Sequence, residues 1–121
     1  MSGPFRRLFG RLSQSDEERL SLEIRDWASE IPDTVRIGDA PAREPVRVAG
    51  VVKRITVYPA EGSEAVEAVI SDGTGEISVV WMGRRSIPGL RLGTRIVVEG
   101  VLAEGRGRRK MVNPKFEFRP T

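Results

Sequence analysis

The stretch AVEAVISDGTGEISVVWMG, Ala65 to Gly83, reads as a β-hairpin. Val66, Ala68 and Ile70 alternate with Ala65, Glu67 and Val69, and Ile77, Val79 and Trp81 alternate with Ser78, Val80 and Met82. A period of two is what half-buried strands require. Between the runs lies Asp72-Gly73-Thr74-Gly75. An Asp side chain can bond its own backbone, and glycine takes positive φ without a Cβ clash, so the chain can reverse there. A phosphate-cradling loop would need a G-x-x-x-x-G-K-[ST] spacing, and no Lys follows these glycines. The spacing predicts a plain turn.

Upstream, Val46 to Tyr58 (VRVAGVVKRITVY) is a long β-branched run whose apolar phase changes around Gly50. Glycine inside a strand marks a bulge or bend, and a long bent first strand can serve both sheets of a small barrel. Pro59 to Ser63 is expected as a loop into the hairpin. Downstream, Gly83 to Gly93 carries Ile87, Leu90 and Leu92 as its apolar anchors and is expected to form a turn or one short helical turn. Thr94 to Leu102 is a fourth strand, Ala103 to Arg109 (AEGRGRR) a basic loop, and Met111 to Phe118 a last strand with Pro114 at a bulge or edge.

At the N-terminus, Phe5, Leu8, Phe9 and Leu12 recur at helical spacing opposite Arg6, Arg7 and Arg11. This segment reads either as a short amphipathic helix that lies on the domain, a membrane surface or a partner, or as a frayed end. Ser15 followed by Glu18 is a capping-box pattern, which predicts that a second helix starts here. Leu20, Ile24, Trp27 and Ile31 share one face of it, with Trp27 in the core, and Pro32 ends it. Asp33 to Pro45 is expected as an extended connector. The predicted organisation is an N-terminal helical extension over residues 1–32 and a β domain over residues 33–121.

The 121 residues suit one modest core. No apolar run approaches the ~20 residues of a membrane span, and no signal-peptide pattern is present, so a cytoplasmic location is expected. The chain has no Cys and no His, which excludes disulfides and thiolate metal sites and removes the commonest general base. No metal, cofactor or catalytic constellation is expected; Asp72 and Glu76 flank a turn without a partnered base. The net charge of +3 is unevenly spread. Asp16 to Asp33 holds seven acids against two bases, whereas Arg84 to Lys115 holds nine bases against two acids. Such asymmetry draws polyanions to one end.

The motifs at residues 46–52 (VRVAGVV), 71–75 (SDGTG), 79–83 (VVWMG), 93–100 (GTRIVVEG) and 111–114 (MVNP) resemble, in order and spacing, the wedge domain of the RecG branch-migration helicase. With the run WMGRRSIP from Trp81 to Pro88, the chain is closer still to small stand-alone bacterial OB-fold proteins of the nucleic-acid-binding class. The resemblance covers roughly Asp33 to Phe118. It implies a mainly β fold, a five-stranded OB-fold Greek-key barrel preceded by the N-terminal amphipathic helix. It also implies binding of single-stranded or branched DNA, with RNA as an alternative. Without a P-loop the chain would act as a binder or adaptor, not as a motor.

An OB-fold binds oligonucleotides on the face of its second and third strands and on two flanking loops. Those loops are expected at Tyr58 to Ser63 and Ala103 to Arg109. The candidate contacts are Arg106, Arg108, Arg109 and Lys110 in the basic loop, Arg84 and Arg85 after the third strand, Lys53 and Arg54 at the bend, Lys115, and Tyr58 as the stacking residue. Aromatics are otherwise missing from the outward positions, so a weak, charge-dominated binder is expected. The competing reading is a protein-interaction module that uses Val69, Val80 and Met82 as an exposed apolar stripe, together with the acidic helix.

Overall fold

The computed structural model describes the backbone of residues 4–120 and the side chains of residues 15–120. A single helix α1 (Pro4–Ser29) leads through a 3-10 turn at Ile37–Asp39 into six strands: β1 (Pro45–Ala60), β2 (Ser63–Ser71), β3 (Glu76–Met82), β4 (Arg95–Ala103), β5 (Lys110–Val112) and β6 (Lys115–Arg119).

The capping pattern at Ser15 does not start a helix, because α1 runs through it. No proline interrupts residues 5–31, and a lone Gly10 costs only about 1 kcal/mol of helix propensity. The expected apolar stripe Phe5, Leu8, Phe9 and Leu12 lies outside the described side chains. The face expected to be buried is only half so. Ile24 and Ala28 are buried and Trp27 and Ile31 partly buried, with Ala28, Trp27 and Ile31 packed on Ala49 and Val97, whereas Leu20 is 48% exposed. Among the described side chains, the helix packs on the sheet through its last turns. Arg95 of β4 lies 5.0 Å from the Trp27 ring, a cation–π contact that pins the junction.

The connector is less extended than expected, since the 3-10 turn inserts Ile37 (0% exposed) and Ala40 (4%) into the main core. The Asp72 carboxylate anchors it. One oxygen accepts from the Ile37 amide at 2.9 Å, and the other accepts from the Thr74 amide at 2.9 Å and its hydroxyl at 2.5 Å. Thr74 Oγ1 in turn accepts from the Gly38 amide. The Asp-Gly-Thr-Gly turn therefore does more than reverse the chain. Gly73 has φ +86°, and a Cβ there would stand 2.7 Å from the Ser21 carbonyl oxygen of α1. Arg25 of the helix donates to the Gly73 carbonyl at 2.8 Å. One turn holds both the 3-10 segment and the helix.

The strands close a five-membered ring in the order β1-β2-β3-β5-β4, with β4 returning to β1, and β6 extends the sheet from β4. All neighbours are antiparallel except β3 and β5, which are parallel. The expected five-stranded barrel is thus the observed architecture. β1 serves both sides: Pro45 to Val51 pairs with β4 and Val51 to Ala60 with β2. The bend was expected at Gly50, but the register slips between Val52 and Arg54, making Lys53 the bulged residue. Gly50 instead permits close approach, since a Cβ would lie 3.1 Å from the Ser71 carbonyl oxygen. The expected loop after Tyr58 is shorter than predicted, because Ala60 pairs with Ser63 around a tight Glu61-Gly62 turn.

The last strand is broken where Pro114 predicts. Leu102 faces Met111, whereas Glu99, three residues back along β4, faces Lys115, four residues on. The extra residue lies beside Asn113, which has φ 49°. The barrel interior is filled by Val48, Ile70, Ile77, Val79, Ile96, Val98 and Met111, all fully buried, with Trp81 at 4% exposure. Of the three expected anchors after β3, Ile87 is buried and Leu90 packs on the core, whereas Leu92 is 68% exposed.

Candidate nucleic-acid interface

Strand register sorts the outer face of β1, β2, β3 and β5 into three cross-strand rows. The first is Arg54, Val69, Ser78 and Lys110; the second is Thr56, Glu67, Val80 and Val112; the third is Tyr58, Ala65 and Met82. At about 4.8 Å between strands, a four-residue row spans about 14 Å. Arg54 and Lys110 stand exposed at the two ends of the first row. Between them Ser78 is buried under Arg108, whose Nε lies 3.4 Å from Ser78 Oγ and whose guanidinium reaches Glu76 at 3.7 Å. Lys53 is exposed at the bulge beside Arg54, and Arg106 is exposed in the β4–β5 loop that leads into Lys110. The third row carries Tyr58, partly buried, and Met82, 44% exposed. The face has a cationic end and an apolar end.

Not every expected contact comes to this face. Arg109 turns inward and donates to the carbonyls of Ile37, at 2.8 Å, and Ala40. Its charge braces the 3-10 turn against the β4–β5 loop. Lys115 lies on β6 opposite Glu99, on the β1–β4–β6 surface with Arg47 and Glu117, away from β2 and β3. Arg85 pairs with Glu64 at 2.9 Å, an exposed pair of small energetic weight, while Arg84 has no ion-pair partner among the described residues.

The expected exposed stripe is also corrected. Val69 and Val80 point outward but are only 5% and 2% exposed, because each sits mid-sheet with a strand on either side, Val69 between Arg54 and Ser78 and Val80 between Glu67 and Val112. Met82 alone of the three is exposed, and Val112 (51%) joins it. Sequence reasoning passed over Val112, because β5 could not be distinguished from the strand that follows. It also passed over Phe116, which is 39% exposed and stands edge-on to Trp81 and Phe118 at 5.3 and 5.6 Å. The alternation Phe116-Glu117-Phe118 was the available signal for that cluster.

A cleft of about 570 Å³ lies between α1, the 3-10 region and the Asp72 turn. Its charged lining balances Arg25 and Arg36 against Asp26 and Asp72, so it does not extend the cationic surface. Among the described residues no group of three or more His, Cys, Asp or Glu is placed to hold a metal ion.

The sequence agrees with the barrel: residues 46–118 match the family of OB-fold nucleic acid binding domains. The chain belongs to that family. No curated protein sequence matches it. Among solved structures, the OB-fold domain is similar to the crystal structure of the p204 HINb domain, with TM-score 0.57 and 16% identity over 70% of this chain and 46% of that one. The chain thus spans under half of that p204 chain. It is also similar to a Replication Protein A heterotrimer bound to single-stranded DNA, with TM-score 0.49 and 22% identity over 76% of this chain and 69% of that one. At 16% identity the likeness to the p204 domain is one of fold. No helix among the described residues of the OB-fold domain is long and apolar enough to cross a membrane.

Proposed function

We propose that this OB-fold domain is a non-enzymatic binder of single-stranded nucleic acid, including the single-stranded parts of branched DNA, through the outer face of β1, β2, β3 and β5. The observation that carries the reading is the cross-strand row with Arg54 and Lys110 at its ends and Arg108 over Ser78 between them, with Tyr58 two rows away on the same face. Arginine and lysine neutralise phosphates and release counterions, and a tyrosine ring stacks on a base. One aromatic ring on the face favours weak binding dominated by charge.

With about four phosphates neutralised, the logarithm of the binding constant falls against the logarithm of salt with a slope of about −3 on single strands. Fluorescence anisotropy of a labelled oligonucleotide across a salt series measures it. Substituting Arg54, Arg106 and Lys110 together with Ala should flatten the slope, and absence of binding at the lowest salt would refute the proposal. Substituting Lys115 should leave the slope unchanged, because that residue lies on another surface.

A second reading is favoured by the adjacent exposed Met82 and Val112, which suit an apolar protein partner better than a phosphodiester. Capture of a protein that survives high salt and is lost on Met82→Lys would support it.

A further inference from the structure

Glu67 occupies the centre of the proposed face, in β2 between Thr56 of β1 and Val80 of β3. Its side chain is partly buried and has no ion pair or hydrogen bond among the described residues, although Arg54 is its diagonal neighbour on the next strand. An unpaired carboxylate beside a cationic row is the wrong charge for a phosphate. It is the right group for a hydrogen-bond donor. We infer that Glu67 reads the base edge and selects amino-bearing bases, guanine above all, over thymine or uracil. This rests on the proposed nucleic-acid face and adds to it a specificity-determining residue.

The chemistry follows from the donor and acceptor inventory. An ionised carboxylate accepts hydrogen bonds and donates none. Cytosine and adenine each offer an exocyclic amino group, and guanine offers its amino group beside a ring N–H, two parallel donors that match two carboxylate oxygens. Thymine and uracil offer one ring N–H between two carbonyls, which a carboxylate repels. The surroundings suit that task. The cationic row holds the backbone at one side of Glu67 and Tyr58 lies on the other, so the carboxylate falls where a base points and away from the phosphates. Val80, buried beside it, supplies an apolar wall that strengthens a hydrogen bond made there.

The test is anisotropy with labelled oligonucleotides of equal length at low salt: oligo-dT, oligo-dC and alternating dG-dT, against the native protein, Glu67→Ala and Glu67→Gln. The native protein should bind the dG-containing strand about tenfold more tightly than oligo-dT, with oligo-dC between them. Glu67→Ala should bring the three together, partly by improving oligo-dT once the like charge is gone. Glu67→Gln, whose amide both donates and accepts, should improve oligo-dT most. Urea midpoints equal to the native one would show that the variants stay folded. Equal native affinity for all three strands, or a preference that survives Glu67→Ala, overturns the role of Glu67 and leaves the nucleic-acid face standing. Failure of every strand to bind removes both.

Discussion

Arg109 and Arg108 are adjacent in sequence and opposite in use. Arg108 lies over Ser78 on the outer face, whereas Arg109 spends two donors on the carbonyls of Ile37 and Ala40. Arg109→Ala should therefore lower stability by about 2 kcal/mol, seen in the urea midpoint, and leave the salt slope of binding unchanged. Lysine, a point charge without a planar fork, should not restore it. Asp72 is 3% exposed, and its two oxygens accept three hydrogen bonds. Asp72→Ala should cost about 3 kcal/mol by leaving the Ile37 amide unsatisfied in the interior. The bond from the Thr74 amide to Asp72 is the one the turn sequence predicts, whereas the reach of Asp72 to Ile37 and the inward turn of Arg109 were not legible in the sequence. A run such as Arg106 to Lys110 announces its charge, but which guanidinium turns inward depends on carbonyls about seventy residues earlier in the chain.

At the scale of elements, the turn between β2 and β3 decides how α1 sits. Gly73 and Gly83 both have positive φ, yet a Cβ on Gly73 would strike the Ser21 carbonyl oxygen while one on Gly83 would meet nothing within 4 Å. Gly83→Ala should cost about 1 kcal/mol, the backbone penalty alone. Gly73→Ala should cost about 2 kcal/mol more by displacing the helix, and the difference between the two urea midpoints measures the helix–turn contact. The hairpin itself was fully readable, because alternation from Val66 to Trp81 is the direct imprint of a sheet with one face in the core. The bulge was misplaced from Lys53 to Gly50, since composition marks where a chain can bend and only the partner strand fixes where the register slips. The two-helix expectation failed for a related reason: a local capping pattern yields to helix propensity on both sides of it.

For the molecule as a whole, the acidic and basic stretches evident in the sequence map onto different surfaces. Asp16, Glu17, Glu18, Glu23 and Asp26 lie on α1, whereas Arg54, Arg108 and Lys110 share one cross-strand row of the β1–β2–β3–β5 face. Replacing Glu17, Glu18 and Glu23 with Gln should raise affinity for oligonucleotides a few-fold at low salt, lose that effect at high salt, and leave the melting temperature unchanged, because these side chains are exposed. The fold was legible because each strand carries its own period. The site was legible in charge but not in membership, since cross-strand rows unite residues such as Arg54 and Lys110 that no local pattern connects. The same topology governs how the chain reaches its native state. β1, β2 and β3 are sequential neighbours and can assemble as they emerge from a ribosome, but β1 waits for β4, and β3 waits for β5. Until β4 is available the meander has two unpaired edges rich in valine and isoleucine, and the β3 edge stays unpaired until the residues around Lys110 arrive. Closure by the last strands is then the slow, non-local step, and the interval before it is when a nascent chain is most open to aggregation.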